Sequence, residues 1–125
     1  MATNQTDNNP AGMKARYVQR GDAIDYTPME DVAAGDVVVL SGKLVGVAKL
    51  DIKAGELGAL ALVGVYEFAK AEGIAFAAGM EVAWNPSDGQ AVTPGASGSV
   101  KIGHAIALTG ATDRSVIVRL CQGLG

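Results

Sequence analysis

The chain has 125 residues, of which 49% are hydrophobic and 18% charged, with a formal net charge of −3. That is one domain's worth of chain, too apolar for intrinsic disorder and lacking the basic balance that nucleic acid demands. One Cys and one His exclude an internal disulfide and a Cys/His zinc cage, and no apolar run reaches the ~18 residues of a membrane span.

In chain order, residues 1–12 (MATNQTDNNPAG) differ from the rest. They carry no apolar periodicity and lack the basic start and apolar block of a secretory signal. Residues 1–12 read plainly as a frayed polar tail and, more sharply, as an N-terminal arm that orders on a partner, ahead of a β domain over 13–125. Asp36–Leu40 (DVVVL) is a β-branched run, and Leu44–Leu50 follows it after Ser41-Gly42-Lys43, a plausible hairpin turn. Leu57–Phe68 (LGALALVGVYEF) is apolar at both alternation parities. The spacing predicts one strand there, central in a sandwich or facing a subunit interface. Tyr66–Glu72 offers one helical turn at most. Met80–Trp84 alternates apolar and polar positions, and Asn85-Pro86-Ser87-Asp88-Gly89 should turn it into Gln90–Thr93. Ser115–Leu120 (SVIVRL) ends the series.

An apolar–x–Ala–Gly–x pattern recurs at Val32–Asp36, Ile52–Glu56 and Phe76–Met80. Each copy precedes a strand, so the pattern reads as a reused tight corner in which Gly takes a conformation closed to other residues. Turn signals every ~8–12 residues predict an all-β domain, a small sandwich or barrel, with a jelly roll among the strand orders left open.

The search for chemistry is short. Gly42-Lys43 lacks the remainder of a phosphate-binding P-loop, and Gly95-Ala96-Ser97-Gly98-Ser99 has no helix behind it. Glu30-Asp31 is an adjacent acidic pair that reads as a solvated loop. His104, the sole imidazole, shares parity with Ile102, Ile106 and Leu108. It is expected in a core or interface unless a bulge at Gly103 reverses its side. Cys121 reads as a buried thiol on the face opposite Val116, Val118 and Leu120, and Trp84 and the three Tyr are too scattered along the chain for a stacking platform. No catalytic constellation and no cofactor site emerge, which points to a binding or structural protein rather than an enzyme.

The order of Tyr17–Asp22, Ala34–Val38, Leu44–Ala48, Ala54–Glu56, Gly64–Glu67, Gly79–Trp84 and Ile102–Ala105 resembles a family of tailed-bacteriophage capsid decoration, or cement, proteins. The resemblance covers roughly residues 14–121. It implies a virion protein on the outer capsid surface that bridges neighbouring major capsid protein subunits and stabilises the head. It also implies no enzymatic residues and no role for nucleic acid or membrane as partner. Self-association is expected, with a homotrimer favoured over a homodimer. The polar extension is not part of the resemblance. Asn4, Gln5, Asn8, Asn9 and Pro10 are the candidate capsid or subunit contacts, lying across a neighbour or adding a strand to its exposed edge. The alternative is a small β-barrel ligand- or host-binding module of adhesin type.

Overall fold

The computed structural model describes residues 14–121, so the arm and its five candidate contacts lie outside the described residues. Short β-branched runs between Gly-rich turns form nine strands: β1 (Ala23–Tyr26), β2 (Val37–Leu40), β3 (Leu44–Val47), β4 (Gly58–Ala61), β5 (Gly64–Ala69), β6 (Glu81–Asn85), β7 (Gln90–Val92), β8 (Val100–Ala105) and β9 (Ser115–Leu120). They make two antiparallel sheets, ordered β1-β4-β3-β2 and β5-β9-β8-β6-β7. The domain is all-β and sandwich-like, with no helix among the described residues; Tyr66–Ala69 belongs to β5. A jelly roll passes back and forth between its sheets, whereas here β1 to β4 form one sheet and β5 to β9 the other.

The single crossing falls inside the segment expected to be one strand. Leu57–Phe68 breaks at Leu62 and Val63, and β4 and β5 enter different sheets. Gly64 allows the break: its φ is +126°, and an added Cβ would lie 3.1 Å from the Tyr66 hydroxyl. That hydroxyl donates to the Val63 carbonyl at 3.0 Å and holds the corner.

The repeated pattern is more than a corner. In each copy the residue after Gly donates its N–H to the carbonyl three residues back, Asp36 to Ala33, Glu56 to Lys53 and Met80 to Ala77, all at 3.0 Å. Gly35, Gly55 and Gly79 have φ of +92°, +80° and +88°. Positive φ at the third position marks a type II turn, the geometry that selects Gly. The repeat also extends into the sheets. Val32 and Ile52 exchange both backbone hydrogen bonds, as do Phe76 and Thr109. Gly35 donates to Ala48 and Ala48 to Asp36; Gly79 donates to Ala105 and Ala105 to Met80. The sheet order β1-β4-β3-β2 therefore recurs as β5-β9-β8-β6, with β7 added at the edge.

The main core comprises Phe68, Phe76, Val82, Trp84, Ile102, Val116, Val118 and Leu120 from the second half, with Val45 and Val47 from β3. Phe68 packs edge-on against Trp84 with ring centroids 5.6 Å apart, a geometry favoured by the ring quadrupoles. The other face of the first sheet holds a smaller cluster of Ala48, Ile52 and Leu60, flanked by Ile24, Tyr26, Val32, Val38 and Leu40.

In β8 the register against β6 slips by one residue: Val82 faces Gly103, but Ala83 faces Lys101. The extra residue is a β-bulge, which reverses the parity of everything beyond it. Gly103 sits there with φ +157°, and a Cβ on it would lie 2.0 Å from the Arg119 carbonyl oxygen. Because that obstruction is backbone, Gly103→Ala should lower unfolding free energy by about 3 kcal/mol or more. Gly21→Ala, with open space around the added carbon, should change it by less than about 0.5 kcal/mol in the same urea titration.

Candidate functional site

Turns and bulges decide which polar groups meet. Asp31 and Asp51 each precede a bridging residue, and each carboxylate reaches the opposite turn. Ala54 N–H donates to Asp31 Oδ1 at 2.9 Å, and Ala34 N–H donates to Asp51 Oδ1 at 2.8 Å. Asp36 Oδ2 accepts from Ala33 N–H at 3.0 Å. These carboxylates are consumed in holding turns, so Asp31 has a structural task that a solvated loop does not describe. Among the described residues no group of His, Cys, Asp and Glu is arranged to hold a metal ion. Lys70 is buried, and its ammonium donates to the Ala71 and Ile74 carbonyls at 2.8 and 2.6 Å. It pins the loop that delivers Phe76 to the core.

The bulge at Gly103 turns His104 out of the apolar face. Ile102 and Ala105 are buried, while His104 is half-buried beside Arg119 and Glu81 on the outward side. The core expectation for His104 is corrected accordingly. Cys121 is a free, half-buried thiol, not a fully buried one. Of Trp84 and the three Tyr, only Tyr66 and Trp84 meet: with Phe68, Val37, Val47 and Pro86 they line a cleft of about 580 Å³ beside β2, while Tyr17 is exposed and Tyr26 flanks the smaller cluster.

The other conspicuous surface follows from the broken apolar segment. One parity of Leu57–Phe68 goes inward through Leu60 and Phe68. Of the other, Ala61 is buried but the large residues stay exposed, at 71% for Leu57, 46% for Val63 and 53% for Val65. Leu57, Ala59 and Val63 share a groove of about 520 Å³ with Leu50, whose rim carries Lys49, Asp22, Asp51 and Glu56. On the second sheet the stripe continues from Val65 to Ile117 and Ile106, all exposed. Val65 faces Arg119 across the β5–β9 ladder, Ile117 faces the adjacent Glu67, and Ile106 N–H donates to the Ile117 carbonyl at 3.1 Å. Exposed large apolar side chains on both sheets are the candidate contact residues. Arg119 makes no ion pair among the described residues, which leaves a cation beside the apolar residues.

The sequence pattern of the phage cement protein family matches residues 18–120, more than four fifths of the chain. The chain belongs to the phage cement protein family. No curated protein and no solved structure matches it. Cement proteins are structural components of the phage capsid, so the chain's place is the virion and its partner the major capsid protein.

The stripe of this cement protein lies outside its core, so removing its side chains should not cost stability. Leu57→Ser and Val65→Ser together should shift unfolding free energy by less than about 1 kcal/mol. The same double variant should reduce the fluorescence of a bound apolar dye, the direct measure of exposed apolar surface.

Proposed function

We propose that this protein is a decoration protein of the outer capsid surface, where it bridges neighbouring major capsid protein subunits and stabilises the head. Membership of the cement family across residues 18–120 is the observation that carries this reading. The exposed apolar residues supply the surface: Leu50, Leu57 and Val63 beside the groove of the first sheet, and Val65, Ile117 and Ile106 on the second. The chain's net charge of −3 suits the outside of a shell whose inside faces packaged DNA. The protein acts as a homo-oligomer, and the polar arm, through Asn4, Gln5, Asn8, Asn9 and Pro10, extends its reach to a neighbouring subunit. Individual contacts need not be strong, because a lattice of sites converts weak binding into firm attachment.

Purified protein added to capsids that lack it should bind and raise the temperature at which they release DNA. Absence of binding, or binding without any gain in heat or osmotic resistance, overturns the reading. Leu57→Glu with Val65→Glu should weaken binding at least about 100-fold, the scale of two interface anchors lost. A chain lacking residues 2–12 should keep the thermal unfolding curve of the domain and bind the capsid about tenfold more weakly, a change of ~1.4 kcal/mol. Binding unchanged by that deletion removes the arm from the interface.

A further inference from the structure

Sheet edges are open templates for pairing, and folded proteins normally protect them with charge, Pro or a bulge. Three of the four outer strands here are protected. β1 carries exposed Asp25, and β5 and β7 close on each other through a parallel bridge between Lys70 and Ala91. β2 is different. Val37, Val38, Val39 and Leu40 are all apolar, all half-buried, and paired on one side only, to β3.

The direction of its free backbone groups follows from the bonds already made. The Asp36 carbonyl accepts from Ala48 N–H at 3.0 Å, and the Leu40 carbonyl accepts from Lys43 N–H at 3.0 Å. Both therefore point toward β3. In an antiparallel ladder, residues bonded to one neighbour alternate with residues bonded to the other. The N–H and C=O groups of Val37 and Val39 consequently point to the free side.

We propose that β2 is a self-association edge, at which two copies of the chain pair antiparallel about a two-fold axis through Val38. This deepens the oligomer part of the functional reading and does not rest on the capsid part. About that axis Val37 of one copy faces Val39 of the other, and each pair exchanges two hydrogen bonds. All four outward N–H groups and all four outward C=O groups are satisfied at once. The side chains agree with the backbone. Val37 and Val39 lie toward the main core, and Val38 and Leu40 lie toward the smaller cluster. Each apolar face thus continues into the second copy, whose Val39 stands beside Val37 at the cleft of Tyr66, Phe68 and Trp84. An interface in which the same patch serves both copies is the commonest closed assembly. Its two-fold symmetry makes the unit a dimer rather than the trimer favoured on the resemblance.

The test uses the full chain without capsids. Sedimentation velocity between about 5 and about 500 µM should show a monomer–dimer equilibrium. Over the same range, hydrogen exchange should slow at least about tenfold at the Val37 and Val39 amides and not at Val38, whose amide already bonds β3. Val39→Pro removes one outward N–H while sparing the ladder to β3, and should weaken the dimer at least about tenfold, or ~1.4 kcal/mol. The exchange measurement needs no variant, so it holds even if that substitution costs stability. A chain that stays monomeric throughout overturns the proposal. So does a dimer whose Val37 and Val39 amides exchange as fast as in dilute solution, or one that Val39→Pro leaves intact. Any of these results leaves capsid binding, measured separately, as it stands.

Discussion

The fold hangs on how two turns grip each other across the Val32–Ile52 bridge. Two backbone bonds at 2.8 Å and two carboxylate bonds, from Ala34 to Asp51 and Ala54 to Asp31, form a nearly symmetric clasp. It sets where β2 begins and where the chain turns into β4, so the first sheet's order follows from it. The second half repeats the bridge at Phe76 and Thr109, but Ala75 and Leu108 stand where the two aspartates would be. Phe76 compensates by full burial in the main core, whereas Val32 is only partly buried. Burying a Phe contributes about 1.5–3 kcal/mol, the same range as a hydrogen bond to a charged group. One architecture is therefore closed by charge-assisted bonds in one half and by apolar burial in the other.

What the sequence made legible was local, and what it hid was relational. The Asn85–Gly89 turn was readable because its determinants lie within five residues: Asn85 Oδ1 accepts from Ser87 and Asp88 N–H, and Gly89 takes φ +68°. The three Ala–Gly corners were readable for the same reason. A further type II turn, Thr93-Pro94-Gly95-Ala96, escaped the pattern because Pro stands where the others have Ala. β1 was missed since AIDY is short and carries a charge, and it is a strand only because β4 lies beside it. The break at Leu62–Gly64 was hidden by hydrophobicity itself: a run apolar at both parities gives no sign of where one sheet ends. His104 shows the limit of parity counting, because a single extra residue opposite β6 moves it from the core side to the outward side.

The candidate surface was half legible. The two-faced character of Leu57–Phe68 pointed to a strand central in a sandwich or facing a subunit interface; the segment is two strands, and its large residues Leu57, Val63 and Val65 are left to solvent. Its continuation through Ile117 and Ile106 depends on β9 lying between β5 and β8, a long-range pairing that strand spacing does not encode. The arm contacts rest on composition alone, and nothing in the described domain bears on them.

Among the described residues the chain passes between its sheets once, at Leu62 and Val63, and exposed apolar residues lie on both sides of that crossing. Leu57 and Val63 border a groove on the first sheet, and Val65 and Ile117 stand on the second. A partner covering the stripe touches both sheets and holds them together across their one covalent link. Any ligand that binds only the folded state adds to its stability by mass action, and here the added contacts fall where the sheets are joined. Under the proposed function, stabilisation would then run both ways, from cement to shell and from shell to cement. This is consistent with a small, Gly-rich domain that invests its carboxylates in turns and leaves its apolar excess for other chains.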